Sequence, residues 1–174
     1  MIVILMGVTA SGKSTIATEL VRLTKWSFAE ADDYHSAANK AKMHAGLPLN
    51  DADRAPWLAS LHGVIVDWVN KGQNGIMTCS ALKQAYRDVL TSGLPEGACR
   101  FVLLEAPFGV LEERIRHRPG HFMNPDLLQS QIDTLEQPKD AIHVKAIGPP
   151  AEVAQNILDQ LAPELKTPNA PLRR

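Results

Sequence analysis

Cysteine is scarce: the chain has two, Cys79 and Cys99, in 174 residues. Two thiols cannot staple a domain of this length. With no Cys-x-x-Cys pair they suggest neither a zinc site nor a redox centre, and they read as buried or neutral thiols in a reducing cytosol. Long apolar runs are missing too. The first run, Ile2 to Met6, has no basic flank and stops at Gly7, too short for a signal-peptide core. No later run reaches the roughly 20 residues a membrane span needs, so a cytoplasmic protein with no membrane partner is expected. Neither sign of charge is in excess, since 18 Lys and Arg against 19 Asp and Glu leave a net charge of −1. That balance excludes the broad basic surface that nucleic acid or an acidic membrane would require. Internal repeats and linkers are also absent, so a single domain over residues 1–174 is expected. The remaining composition, 45% hydrophobic and 21% charged, is ordinary for a globular chain and disfavours disorder.

Hydrophobic periodicity supplies the elements. "IVIL" at the start is an apolar, β-branched run that suits a strand buried on both faces. Residues 13–24 set Ile16, Leu20 and Leu23 on one helical face. "SFAEA" is a weaker second strand, and residues 33–45 look helical before Gly46 and Pro48 interrupt. Asp51 or Asp53 can cap a long helix whose stripe is Trp57, Leu58, Leu61, Val64, Ile65, Trp68 and Val69. That stripe marks Trp57 and Trp68 as core or interface residues rather than sugar platforms and leaves Asp67 on the solvated face. Strands at "IMTCSA", "RFVLLEA" and "IHVKAIG" alternate with helices at "LKQAYRDVLTSG", "FGVLEERIRH", "DLLQSQIDTLE" and "PAEVAQNILDQL". Such alternation implies an α/β fold, an open parallel sheet with right-handed crossovers and helices on both faces. The proline-rich end, residues 163–174, is expected to be a flexible tail.

The strongest motif is "GVTASGKS", Gly7, Val8, Thr9, Ala10, Ser11, Gly12, Lys13 and Ser14, which fits G-x-x-x-x-G-K-[ST]. It follows a buried strand and opens a helix, the context in which a glycine-rich loop wraps a polyphosphate. Backbone N–H groups and the positive helix end meet the phosphate oxygens. Lys13 is expected to reach the β- and γ-phosphates, and Ser14 to ligate Mg²⁺. Thr15 completes the ATP-binding segment. A GTPase switch would need a base-reading Asn-Lys-x-Asp segment, and "NKAK" at residues 39–42 ends in the wrong residue. The site also needs an acid. Ligands gather at the carboxyl ends of parallel strands, which favours Asp32, just past the second strand, over Glu105 at the end of the fourth. Capping of the next helix is the alternative use for Glu30, Asp32 and Asp33, and Asp33 suits it.

Beyond the phosphate loop, residues 30–58, "EADDYHSAANKAKMHAGLPLNDADRAPWL", residues 79–90, "CSALKQAYRDVL", and residues 118–138, "RPGHFMNPDLLQSQIDTLEQP", carry a chain of motifs. Together these make the sequence resemble the gluconate kinases, relatives of shikimate kinase and the nucleoside monophosphate kinases. The likeness runs from Gly7 to about Pro138. Ala31, where many relatives have Gly, and a last strand without an acid near its end depart from the pattern. The resemblance implies a three-layer α/β/α P-loop kinase with a five-stranded parallel sheet and a mobile lid at about residues 114–125. It implies transfer of the ATP γ-phosphoryl to the 6-hydroxyl of D-gluconate, Mg²⁺ as cofactor, and a homodimer. Within that reading Lys13, Asp32 and Arg118 are catalytic. Asp32 is the candidate base and a metal residue, directly or through water. Arg114 and Arg118, four apart, would serve ATP from one helix face, while Arg116 points to solvent. For the sugar acid, Arg54 and Arg87 offer guanidinium forks to its carboxylate. Lys83 stands nearby, and His35 and His121 suit hydroxyls or phosphate. Arg54 could instead pair with Asp51 or Asp53. A kinase of another small hydroxy acid, such as shikimate, and a protein using ATP as a binding switch remain open.

Overall fold

The computed structural model describes residues 1–117 and 125–165. Five strands form one sheet: β1 (Ile2–Met6), β2 (Ser27–Glu30), β3 (Gly75–Thr78), β4 (Cys99–Glu105) and β5 (Ile142–Lys145). The order is β2-β3-β1-β4-β5, and every pairing is parallel. The helices among the described residues are α1 (Lys13–Thr24), α2 (Ala37–His44), α3 (Asp51–Asn70), α4 (Gln84–Thr91), α5 (Phe108–Arg116), α6 (Pro125–Thr134) and α7 (Pro150–Leu165). None is long and apolar enough to cross a membrane.

Side chains alternate across the pleat, so β1 feeds two cores at once. Ile2, Ile4 and Met6 pack against Trp57, Leu58, Leu61, Ile65 and Trp68 of α3 and Tyr86 and Leu90 of α4. Val3 and Leu5 face the other way, onto Ile16, Ala17 and Leu20 of α1 and Val153, Ala154, Ile157 and Leu161 of α7. Both tryptophans therefore sit in the core as the stripe required. Asp67 stays outside, paired with Lys71 at 2.8 Å. Burial pushes the Cys79 thiol up to about 12 and that of Cys99 to about 11, so both are protonated at neutral pH.

Four local readings change. The helix expected over residues 33–45 is two pieces, a 3-10 turn at Ala31–Tyr34 and then α2, because His35 takes an extended conformation between them. Ser36, not Asp33, caps α2 by accepting from the Asn39 N–H. Asn50 caps α3, and Asp53 closes a capping box rather than acting as the cap itself. At the C-terminus α7 runs through Pro163 to Leu165, into the segment expected to be a tail, and the remainder of that tail, residues 166–174, lies outside the described residues.

Gly75 opens β3, between Ile2 of β1 and Ser27 of β2, directly under Trp68. A methyl group on its Cα would lie 2.6 Å from Cζ3 and 2.9 Å from Cδ2 of that indole. A strand hydrogen-bonded on both sides cannot retreat, so Gly75→Ala must displace the ring. Such overpacking should cost about 2 kcal/mol in urea unfolding. A loss below about 0.5 kcal/mol would mean the indole has room to turn.

Candidate active site

All five parallel strands deliver their C-terminal ends to one edge of the sheet, where the loops converge. The loop after β1 is the phosphate motif. Gly7 has φ +136°, and a Cβ there would stand 2.8 Å from the Leu104 carbonyl oxygen, so the loop can leave β1 this close to β4 only with glycine. Ala10 and Gly12 also have positive φ, and Gly12 is the N-cap of α1. Lys13, Ser14 and Thr15 form the first turn, whose N–H groups have no helical acceptor and carry the positive end of the dipole. Val8 is buried beneath the loop, and the Ser11 hydroxyl is buried without a hydrogen-bond partner among the described residues. Lys13 lies across the loop, with Nζ 3.0 Å from the Gly7 carbonyl and 2.9 Å from that of Val8. Thr9 donates its N–H to Oε1 of Gln131, on α6, at 2.7 Å.

Arg114 braces this loop from the side. Nη1 donates to the Ala10 carbonyl at 3.2 Å and Nη2 to that of Ala146, beyond β5, at 2.7 Å. α5 ends at Arg116, and Arg118, expected to share its face with Arg114, lies outside the described residues. Arg116 pairs with Glu112 at 2.9 Å and is exposed, as its position suggested. Arg118 and His121, and most of the expected lid, lie outside the described residues.

The acid on the Ser14 hydroxyl is Glu30, whose Oε2 accepts from it at 2.7 Å. Its other oxygen accepts from the Thr78 hydroxyl at the end of β3. In the sequence alone Glu30 is one of three acids that could cap the next helix. The signal that selected Asp32, an acid at the end of the second strand, applies equally to its neighbour two residues earlier. Ser14 and Glu30 offer only oxygen donors. Among the described residues no group of three or more His, Cys, Asp or Glu could hold a metal ion. This donor set fits Mg²⁺, a hard ion that takes one or two protein oxygens and completes its shell with phosphate and water. Glu105 turns to His143, 3.3 Å away, and plays no part here.

Asp32 is exposed, two residues past β2. The buried Cys79 thiol feels the charges of Lys13, Asp32 and Glu30, and His35 feels those of Asp32 and Arg54. The phosphate lysine, the candidate base and the candidate substrate arginine therefore share one neighbourhood. His35 stacks on Trp57, with ring centroids 4.4 Å apart. Trp57 in turn donates to the Ala31 carbonyl at 2.7 Å. His35 is 8% exposed and its Nδ1 has no hydrogen-bond partner among the described residues. Burial above all pushes its pKa down, so at neutral pH the ring is a neutral hydrogen-bonding group.

Next to it, cationic donors converge on a carboxylate. Asp51 accepts from Tyr86 Oη at 2.5 Å and from Lys83 Nζ at 3.0 Å. Arg54 Nη1 stands 3.9 Å from the same oxygen and lies over the Tyr86 ring, 5.8 Å from its centroid. The bonds from Tyr86 and Lys83 hold the Asp51 carboxyl below the usual carboxylate range, while Lys83 is raised, chiefly by Asp51. Asp51 is one of the two partners that the sequence offered Arg54 as an alternative to substrate, whereas nothing local sets Tyr86 apart from a core aromatic.

Arg87 departs from its expected role. It is 2% exposed, and its donors are spent inside the chain. Nη1 donates to the Ala81 and Leu82 carbonyls (2.8 and 3.1 Å), Nε and Nη2 to Gln84 Oε1 (3.2 and 2.8 Å), and Nη2 also to the Glu136 carbonyl (2.9 Å). A guanidinium has five N–H groups, so none is left for a substrate carboxylate. Arg87 shapes the loop that carries Lys83 instead of offering a fork.

A family model described as an AAA domain matches residues 2–138. The chain is similar to the gluconokinase of Gluconobacter oxydans (strain 621H), 46% identical over 138 residues, covering 79% of this chain and 76% of that one. It is also similar to the thermosensitive gluconokinase of Escherichia coli (strain K12), 40% identical over 136 residues, covering 78% and 72%. Among solved structures, a gluconokinase from Sinorhizobium meliloti 1021 superposes with a TM-score of 0.82 at 38% identity, over 93% of this chain and 91% of the other.

Proposed function

This chain belongs to the gluconokinase family of P-loop kinases, and from that premise we propose that it transfers the γ-phosphoryl group of ATP to the 6-hydroxyl of D-gluconate, giving 6-phospho-D-gluconate and ADP. The observation that carries this reading is the pair of contacts joining the phosphate loop to the acceptor segment: the Ser14 hydroxyl on Glu30, two residues before Asp32, and the His35 ring on Trp57, three residues after Arg54. A polyphosphate cradle and a carboxylate-collecting cluster open there side by side.

The triphosphate binds along the loop from Gly7 to Thr15, with the first-turn amides of α1 and Lys13 facing its oxygens. Lys13 stabilises the charge spread over the transferring group, which in a loose transition state is the main task of the protein. Arg114 holds the loop in shape, and Arg118 would add a second cation. Mg²⁺, held by Ser14 with Glu30 and Asp32 acting directly or through water, would supply neutralisation of the β- and γ-phosphate oxygens. Arg54 and Lys83 bind the sugar-acid carboxylate, which competes with Asp51 for them. His35 offers its buried Nδ1 to a sugar hydroxyl, which would restore the hydrogen bond that burial leaves unmade. His121 would serve a hydroxyl or phosphate in the same way. Asp32 orients the 6-hydroxyl and accepts its proton as the new P–O bond forms. We further place the enzyme in the cytoplasm, as a homodimer.

A coupled ADP-release assay over a panel of sugar acids and shikimate tests this reading. Turnover with gluconate alone, with product oxidised by 6-phosphogluconate dehydrogenase, is the expected result. Turnover with another hydroxy acid would reassign the substrate. Tight ATP binding without turnover on any acceptor would make the chain a nucleotide-switched binder.

A further inference from the structure

Helix α6 touches both halves of the site. At its middle, Gln131 accepts the Thr9 N–H at 2.7 Å, a bond between residues 122 positions apart. Its apolar face, Leu128 with Ile132, and Leu135 directly after it pack into the small core formed by Val8, Leu82, Leu111 and Ile115. Just past its end, the Glu136 N–H donates to the Leu82 carbonyl at 2.9 Å. The Glu136 carboxylate accepts the Gln84 N–H at 2.6 Å, and its carbonyl accepts from Arg87 at 2.9 Å. Leu82 and Gln84 flank Lys83 of the carboxylate cluster. One helix is thus bonded to the phosphate loop and to the acceptor loop.

The contact at Thr9 is chemically specific. Thr9 lies between buried Val8 and Ala10, whose φ is +59°. A left-handed alanine is a costly conformation that surrounding bonds must hold. Its carbonyl is held by Arg114, at 3.2 Å. The amide one residue earlier is held by Gln131. Thr9 can donate only to an oxygen, so the side-chain carbonyl of Gln131 is the half of the amide that faces it.

We propose that Gln131 is a positioning residue for phosphoryl transfer, its carbonyl oxygen fixing the Thr9 turn of the phosphate loop and thereby setting that loop against the acceptor loop at the other end of α6. The inference rests on the kinase reading given above and deepens it. A donor loop misplaced by a fraction of an ångström relative to the acceptor lowers the rate without weakening either ligand's binding.

Gln131→Met keeps length and removes the acceptor; Gln131→Glu keeps an acceptor oxygen at the same reach. Two readouts are taken on the full chain, steady-state kinetics with ATP and gluconate, and amide exchange at Thr9 by NMR. For Gln131→Met, kcat should fall about ten-fold with both KM values within about two-fold. Thr9 exchange should quicken about ten-fold while Ile4 and Leu5 of β1 stay protected. Gln131→Glu should restore Thr9 protection and bring kcat within about three-fold of the parent, its added charge appearing as a raised KM for ATP. Unchanged Thr9 exchange in Gln131→Met overturns the inference. So does faster exchange with kcat unaltered, or a Gln131→Glu kcat as low as that of the methionine variant. Absence of turnover by the parent protein on gluconate would overturn the functional reading instead, and the hold on Thr9 is then decided by exchange alone.

Discussion

Lys13→Met should lower kcat for gluconate phosphorylation by about a thousand-fold. The lysine Nζ lies within 3.0 Å of two carbonyls of the same loop, so its ammonium is held over the cradle rather than ranging through solvent. Methionine preserves the stem and removes the charge. The transferring phosphoryl gathers negative charge in the transition state, in a site where loop amides already face it. Losing the one cation built into the motif therefore removes stabilisation that grows as the reaction proceeds, which is why kcat suffers more than binding. Rapid-quench measurement of the chemical step, with ATP affinity by calorimetry, checks the split. A kcat within ten-fold of the parent would show that other cations carry the charge. The fold should be untouched, since Lys13 contributes little to either core.

Asp32→Asn should reduce kcat by about 10²- to 10³-fold and leave ATP affinity within about three-fold. Asparagine matches the carboxylate in shape but cannot take up the acceptor proton. Asp32 is exposed at the strand end and shares the Cys79 surroundings with Lys13 and Glu30. The Ser14 hydroxyl rests on Glu30, so the nucleotide side of the site keeps its own acid when Asp32 is neutralised. Equal losses in kcat and ATP affinity would sink the assigned role and make Asp32 part of the nucleotide and metal apparatus.

Much of this was legible in the residues, for identifiable reasons. The β1 run and the stripe from Trp57 to Trp68 announce themselves because burial on a sheet or helix face imposes a period of two or of three to four. The phosphate loop is legible because its chemistry is done by backbone, and backbone demands glycine at fixed spacing. Arg87 misled because a guanidinium suited to a carboxylate is equally suited to a set of carbonyls, and only the fold brings the carbonyls of Ala81, Leu82 and Glu136 to one arginine. Gln131 was invisible for the same reason, since its partner lies 122 residues away. Glu30 was hidden by proximity, as one of three acids in a row of four positions with no local pattern to rank them. The split between the 3-10 turn and α2 was missed because alanine-rich "SAANKA" continues a helical pattern. The extended His35 that breaks it is set by its stacking on Trp57, a tertiary contact.

Three bonds fasten Glu136 to residues 82–87, while farther up α6 only Gln131 grips the phosphate loop by a hydrogen bond between described residues. The helix is therefore a lever with its fulcrum at the acceptor end. With about 1.5 Å of rise per residue, Gln131 sits roughly 7 Å from that fulcrum and residue 125 roughly 16 Å. Any tilt of the helix reaches the phosphate loop at about half its amplitude at residue 125, geared down before it arrives where the phosphoryl group is handed over.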